Sequence, residues 1–100
     1  MSFFLKVLLA PEQTMVGVRF PLNEGDNIVG RISPPASIRL DSPKVSKRHC
    51  TFAVKGADLN VADNQSSNGV YVNGKKVEKA KLTNKDRIVI GEFTLEVAVG

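Results

Sequence analysis

The chain has 100 residues, 42% hydrophobic and 24% charged, which fits one globular domain with a single core and excludes disordered and collagen-like classes. Its 14 basic and 10 acidic side chains leave a net charge of +4, a field that draws anionic partners. No apolar run approaches the roughly 20 residues of a membrane span, and the lone Cys50 excludes an internal disulfide and fits a reducing, cytoplasmic setting.

Alternation with period two runs from end to end and predicts an all-β chain. Phe3, Leu5, Val7 and Leu9 share one face of a first strand. A second run alternates Val16, Val18 and Phe20 around Gly17 and Arg19. Ile28 to Arg31 reads as a third strand, and Ile38 to Leu40 as a fourth beyond the stiff Pro34-Pro35 pair. Cys50, Phe52 and Val54 mark the next, and Gly56-Ala57-Asp58 turns the chain into Leu59 to Val61. Val70 and Val72 lead into Asn73-Gly74, the preferred pair for a two-residue hairpin, and Val77 lies on the return. Ile88 to Ile90 and Phe93 to Val99 close the chain as two strands joined at Gly91-Glu92. No segment carries a sustained helical period. Ten or eleven short strands at close spacing predict a β-sandwich, whose loops gather at its two ends.

The chemistry lies in the loops. Gly30-Arg31 closes one strand, and Ser46-Lys47-Arg48-His49 follows after fourteen residues. Ser66-Ser67-Asn68-Gly69 precedes Val70, and Val72-Asn73-Gly74 comes next. A guanidinium, an ammonium, two hydroxyls and a carboxamide suit a tetrahedral dianion and a stretch of peptide backbone. Taken singly, Arg31 is equally a surface arginine, Ser46 and Ser67 ordinary turn serines, and Asn68 half of an Asn-Gly turn.

In this order and spacing, the motifs resemble the forkhead-associated (FHA) domain family, and Leu82, Asp86-Arg87-Ile88 and Gly91 are similar to its penultimate strand. The resemblance runs from about Phe3 to Val99. It implies an FHA-like β-sandwich of about eleven strands in two twisted, mostly antiparallel sheets, with residues 1–100 forming one domain, either alone or as the amino-terminal module of a larger protein. It also implies a phosphothreonine-binding module in Ser/Thr kinase signalling, recognising a Thr-phosphorylated protein or peptide downstream of that kinase. By motif position Arg31, Ser46, Lys47, Ser67 and Asn68 are the phosphopeptide contacts, while Gly30, His49 and Gly69 support the site. No cofactor and no metal is implied.

The chain departs from the family pattern in three places. Lys47 stands where arginine is usual, keeping the charge but losing the planar fork. Ser67 replaces the common threonine, and Lys85-Asp86 the usual Gly-Asp. His49, the sole histidine, has no oriented partner for catalysis, so no enzyme is expected. Cys50 alternates with Phe52 and Val54 and reads as buried and inert. Lys44 and Arg48 are expected to flank the site and face solvent. The Lys75–Arg87 stretch lacks an aromatic for base stacking and reads as a solvated face, so neither nucleic acid nor membrane insertion is expected. Thr14, once phosphorylated, is a candidate for self-recognition. The alternative function is an FHA-fold scaffold that binds proteins independently of phosphate.

Overall fold

The computed structural model describes residues 2–34 and 36–100. Pro35, half of the Pro34-Pro35 pair, lies outside them. Eleven strands form: β1 (Phe3–Leu9), β2 (Arg19–Leu22), β3 (Gly25–Gly30), β4 (Ile38–Arg39), β5 (Cys50–Lys55), β6 (Asp58–Asp63), β7 (Val70–Val72), β8 (Lys75–Val77), β9 (Lys79–Leu82), β10 (Arg87–Ile90) and β11 (Phe93–Val99). They make a six-stranded sheet ordered β2-β1-β11-β10-β7-β8 and a five-stranded sheet ordered β4-β3-β5-β6-β9. All pairings are antiparallel except β3 with β4, which run parallel with Gly30 beside Arg39.

Alternation drives this arrangement. Phe3, Leu5 and Val7 of β1 and Phe93, Leu95 and Val97 of β11 are buried, and their neighbours in sequence face outward. They meet Cys50, Phe52 and Val54 of β5 and Leu59 and Val61 of β6 across the sandwich, in one continuous core. Each large side chain sealed there stabilises the fold by about 1.5–3 kcal/mol relative to exposure. The edges are guarded: β2 carries Pro21, and β8 and β9 carry Lys75, Lys76, Lys79 and Lys81, all hostile to further strand pairing.

Three elements differ from the sequence expectation. Val16 is not in a strand: Gln13–Met15 forms a 3-10 turn, Gly17 takes φ +91°, and β2 begins at Arg19. β3 begins three residues earlier than Ile28, because Asn27 is a buried polar residue that faces inward. Its carboxamide accepts from Asn23 N–H and donates to the carbonyls of Asn23 and Phe52. β9, a Lys-Ala-Lys-Leu run with no β-branched residue, exists through its pairing with β6. Asn73 and Gly74 form the expected hairpin turn, with φ +50° and +86°.

The strand pairings assign the connections to ends. The β1–β2, β4–β5, β6–β7, β8–β9 and β10–β11 connections share one end, and the β3–β4 connection leaves β3 there. The β2–β3, β5–β6, β7–β8 and β9–β10 connections share the other.

Candidate functional site

Arg31 directly follows β3, and its N–H donates to the Ser46 carbonyl (3.0 Å), tying the end of that strand to the β4–β5 connection. The two segments approach so closely at Gly30 that a Cβ there would lie 2.0 Å from the Lys47 carbonyl oxygen. Only glycine fits, so Gly30 fixes the distance between Arg31 and Ser46.

Ser46 sits mid-loop and is held on three sides. Its N–H donates to His49 Nδ1 (3.0 Å), its carbonyl accepts from Arg31, and its Oγ accepts from Ser67 N–H (3.1 Å). The hydroxyl proton of Ser46 is thereby left to point elsewhere.

His49, wholly buried, is a polar brace. Because Nδ1 accepts from Ser46, the ring proton is on Nε2, which donates to the Gly69 carbonyl (2.8 Å). Its backbone is equally committed: N–H to the Val29 carbonyl (2.8 Å), and C=O accepting from Asn64 N–H (3.0 Å). One imidazole therefore locks the β4–β5 connection to the β6–β7 connection, with both ring nitrogens occupied.

The β6–β7 connection folds on itself before it meets Ser46. Asp63 accepts from Ser66 N–H (3.0 Å), and Ser66 Oγ accepts from Gly69 N–H (3.0 Å). Gly69 adopts φ +80°, a conformation glycine takes without strain. This turn presents Ser67 and Asn68 outward. Asn68 Nδ2 reaches across to the Lys44 carbonyl (2.7 Å), leaving its Oδ1 uncommitted.

Arg31, Ser46, Lys47, Ser67 and Asn68 thus line one hollow of about 320 Å³, together with Pro43, Lys44 and Val45. No carboxylate lines it. Lys44, expected only to flank the site, is part of its lining, Arg48 is exposed beside it, and among the described residues no ion pair involves Arg31, Lys44, Lys47 or Arg48. The Nε of Arg31 is buried without an acceptor, although the side chain as a whole is half-exposed. This is a concentration of positive charge and N–H and O–H donors, suited to an anion and unsuited to a metal cation.

Thr14 lies exposed in the 3-10 turn after Pro11. Cys50 is buried, and burial together with the nearby Asp63 charge pushes its thiol far above the ordinary range, so it stays protonated.

The FHA domain model matches residues 27–91, the span that holds every side chain lining the hollow. The chain belongs to the FHA domain family. It is 40% identical over 84 residues to the glycogen accumulation regulator GarA of Mycolicibacterium smegmatis, covering 84% of this chain and 52% of that protein. It spans about half the length of the curated relatives it matches. Among solved structures, it superposes with TM-score 0.89 and 31% identity on an FHA domain from a study of phosphothreonine-dependent FHA domain interactions, covering 100% of this chain and 98% of that one. It also matches the FhaA FHA domain solved with the intracellular domain of Rv3910 (TM-score 0.85, 32% identity, 96% and 99% coverage).

Several residues that build this hollow, among them Arg39, Ser42 and Asp63, have no counterpart in the sequence expectation. Arg39 Nε–H donates to the Arg31 carbonyl (3.0 Å), a contact that follows from parallel β3–β4 pairing. Ser42 Oγ–H donates to the Glu92 carboxylate and accepts from Lys44 N–H (3.2 Å), anchoring the loop to the β10–β11 turn. Ser66 and Asp63 shape the Ser67-Asn68 turn. Of these, only Ser66 stands in a motif read from the sequence, with no role assigned to it there.

Proposed function

We propose that this FHA domain binds phosphothreonine in a partner protein through the hollow lined by Arg31, Ser46, Lys47, Ser67 and Asn68. The observation that carries the reading is the unpaired Arg31 Nε, buried at a hollow with four cations in or beside it and no carboxylate in its lining. A buried charged N–H without an acceptor is costly, and a phosphate oxygen supplies one.

Each group then has a distinct task. Arg31 offers parallel N–H donors to the phosphate. The free hydroxyl proton of Ser46 and the hydroxyl of Ser67 grip it from two different loops. Lys47 adds a mobile charge, and Asn68 Oδ1 accepts from a backbone N–H of the extended ligand. His49, Gly30 and Gly69 hold these donors in place before the ligand arrives, which lowers the ordering cost of binding. Neither serine hydroxyl is paired with a general base, since both ring nitrogens of His49 are committed to Ser46 N–H and the Gly69 carbonyl, so the domain acts as a reader of a modification made by a Ser/Thr kinase. Its relatives support a regulatory role: GarA is a named regulator, and one structural neighbour was solved with an intracellular protein domain.

Calorimetric titration with matched peptides bearing phosphothreonine, phosphoserine or unmodified threonine tests the reading. Binding of the phosphothreonine peptide alone is expected. Equal binding of the unmodified peptide would support phosphate-independent scaffolding instead.

A further inference from the structure

The outer face of the six-stranded sheet lies on the flank of the sandwich rather than at either end. Residues paired across strands project from the same side of a sheet, so the register sorts this face into rows. One row runs Leu9, Thr94, Val89, Tyr71 and Lys76 across β1, β11, β10, β7 and β8. The next runs Arg19, Lys6, Glu96 and Arg87 across β2, β1, β11 and β10. A third holds Pro21, Phe4 and Ala98. A mainly apolar row thus lies on each side of a charged one.

Composition sets this face apart. Phe3, Phe52 and Phe93 lie in the core and Phe20 packs against it, while the two remaining aromatics, Phe4 and Tyr71, both sit here, half-buried. Leu9, at 63%, is the most exposed large apolar side chain among the described residues. Four cations, Lys6, Arg19, Lys76 and Arg87, stand against the single carboxylate of Glu96, which pairs with Arg87 (3.8 Å). The face therefore carries a net charge of +3 out of the chain's +4. The outer face of the five-stranded sheet is built differently. Thr51, Ala53, Asn60 and Ala62 occupy its centre, and Lys81 there is paired with Asp58 (3.4 Å). Aromatic and arginine enrichment with few carboxylates marks the centre of protein–protein interfaces, whereas a merely solvated surface mixes charges of both signs.

We infer that this face docks the acidic surface of a folded partner protein, with no phosphate and no part of the Arg31 hollow required. Carboxylates of the partner meet the cations of the middle row and Lys76, and its aliphatic side chains cover the rows at Tyr71 and at Phe4. Six strands and the seven-residue length of β1 and β11 make the face about 24 Å wide and about 23 Å long, the footprint of a small, reversible interface. Charge argues against a second copy of this chain, which would set one +3 face against another. Single-stranded nucleic acid stacks on rings that follow one another along a groove, and Phe4 and Tyr71 stand three strands and two rows apart.

Crosslinking from the centre of the face tests this. The photoreactive residue p-benzoylphenylalanine replaces Val89, or Thr51 on the opposite face for comparison, and the full chain is irradiated in extract of its own cells, with and without phosphatase and nuclease treatment. A protein that crosslinks at Val89 and not at Thr51 is then purified, dephosphorylated and titrated calorimetrically. The crosslinked segment is expected to be rich in Asp and Glu, and affinity to fall as salt rises. Arg19→Glu should weaken binding about tenfold and flatten the salt dependence. Leu9→Ser should weaken it about threefold at every salt concentration. Both side chains are exposed, so thermal melts of the two variants should match wild type. Four results would overturn the proposal: no protein specific to Val89, capture of a second copy of the chain, a crosslink lost on phosphatase or nuclease treatment, or binding indifferent to both substitutions.

Discussion

Both ends of the sandwich carry polar side chains and treat them in opposite ways. At the end holding the β7–β8 and β9–β10 connections, hydrogen bonding is closed. Asn73 Nδ2 donates to Asp86 (3.1 Å), Asn73 Oδ1 accepts from Arg87 N–H (3.0 Å), and Asp86 also accepts from Thr83 N–H (2.8 Å) and Thr83 Oγ1 (3.2 Å). Asn27, at the same end, is satisfied by four bonds to Asn23, Gly25 and Phe52. At the end holding Arg31, the inner layer is closed around His49, but the outer layer is not: Arg31 Nε is unpaired, and Ser46 and Ser67 keep hydroxyl protons free. Polar residues in loops are therefore not by themselves a site. What distinguishes a site is a satisfied inner shell that holds unsatisfied donors in fixed positions.

This contrast is broken most severely at His49. His49→Ala strips partners from Ser46 N–H and the Gly69 carbonyl and leaves a cavity, so a stability loss of roughly 3–5 kcal/mol is expected in urea unfolding, together with loss of phosphopeptide binding. Unaltered unfolding would show that the two loops are held by something else. Arg31→Ala separates the shells: binding should weaken at least tenfold, by about 1.5–3 kcal/mol, with little change in melting temperature.

The closed end should respond in the reverse sense. Burial raises the Asp86 carboxyl, but hydrogen bonds from Thr83 N–H, Asn73 and the Thr83 hydroxyl lower it, and the hydrogen bonds prevail, holding it below the ordinary value. A depressed folded-state value means a stabilising contribution that is complete above the unfolded value near pH 4 and lost as pH falls through the folded one. Asp86→Ala should therefore destabilise the domain modestly at neutral pH, and the difference from wild type should shrink in thermal melts as pH falls below the ordinary carboxylate range, with peptide affinity untouched. The smallest expected effect is at Lys47. Lys47→Arg restores a planar fork on a mobile, exposed side chain and should improve affinity by about two- to threefold in the same titrations.

How much of this was legible in the sequence depends on the range of the interaction. Most strands were readable because alternation is local, and so was the Asn73-Gly74 hairpin, since two successive positive φ angles demand those residues. β9 was hidden, because Lys79–Leu82 has weak strand propensity of its own and is recruited by β6. Val16 misled because its apolar character continued the alternation past Gly17, where the chain turns. The Arg31, Ser46 and Ser67 motifs were recognisable by order and spacing. Arg39 was not, because its contact with Arg31 depends on the parallel register of β3 and β4, which no local pattern announces.

The central claim is that fixed, unsatisfied donors at one end receive phosphate while the closed end stays silent. Titrating the ¹⁵N-labelled domain with a phosphothreonine peptide, and following backbone amides together with arginine Nε–H resonances, tests it most directly. Large shifts are expected at Arg31 Nε–H and at the Ser46, Lys47, Ser67 and Asn68 amides, with Asn73, Thr83 and Asp86 unmoved. Saturable binding that left Arg31 Nε–H unchanged, or that moved the Asn73–Asp86 end, would contradict it.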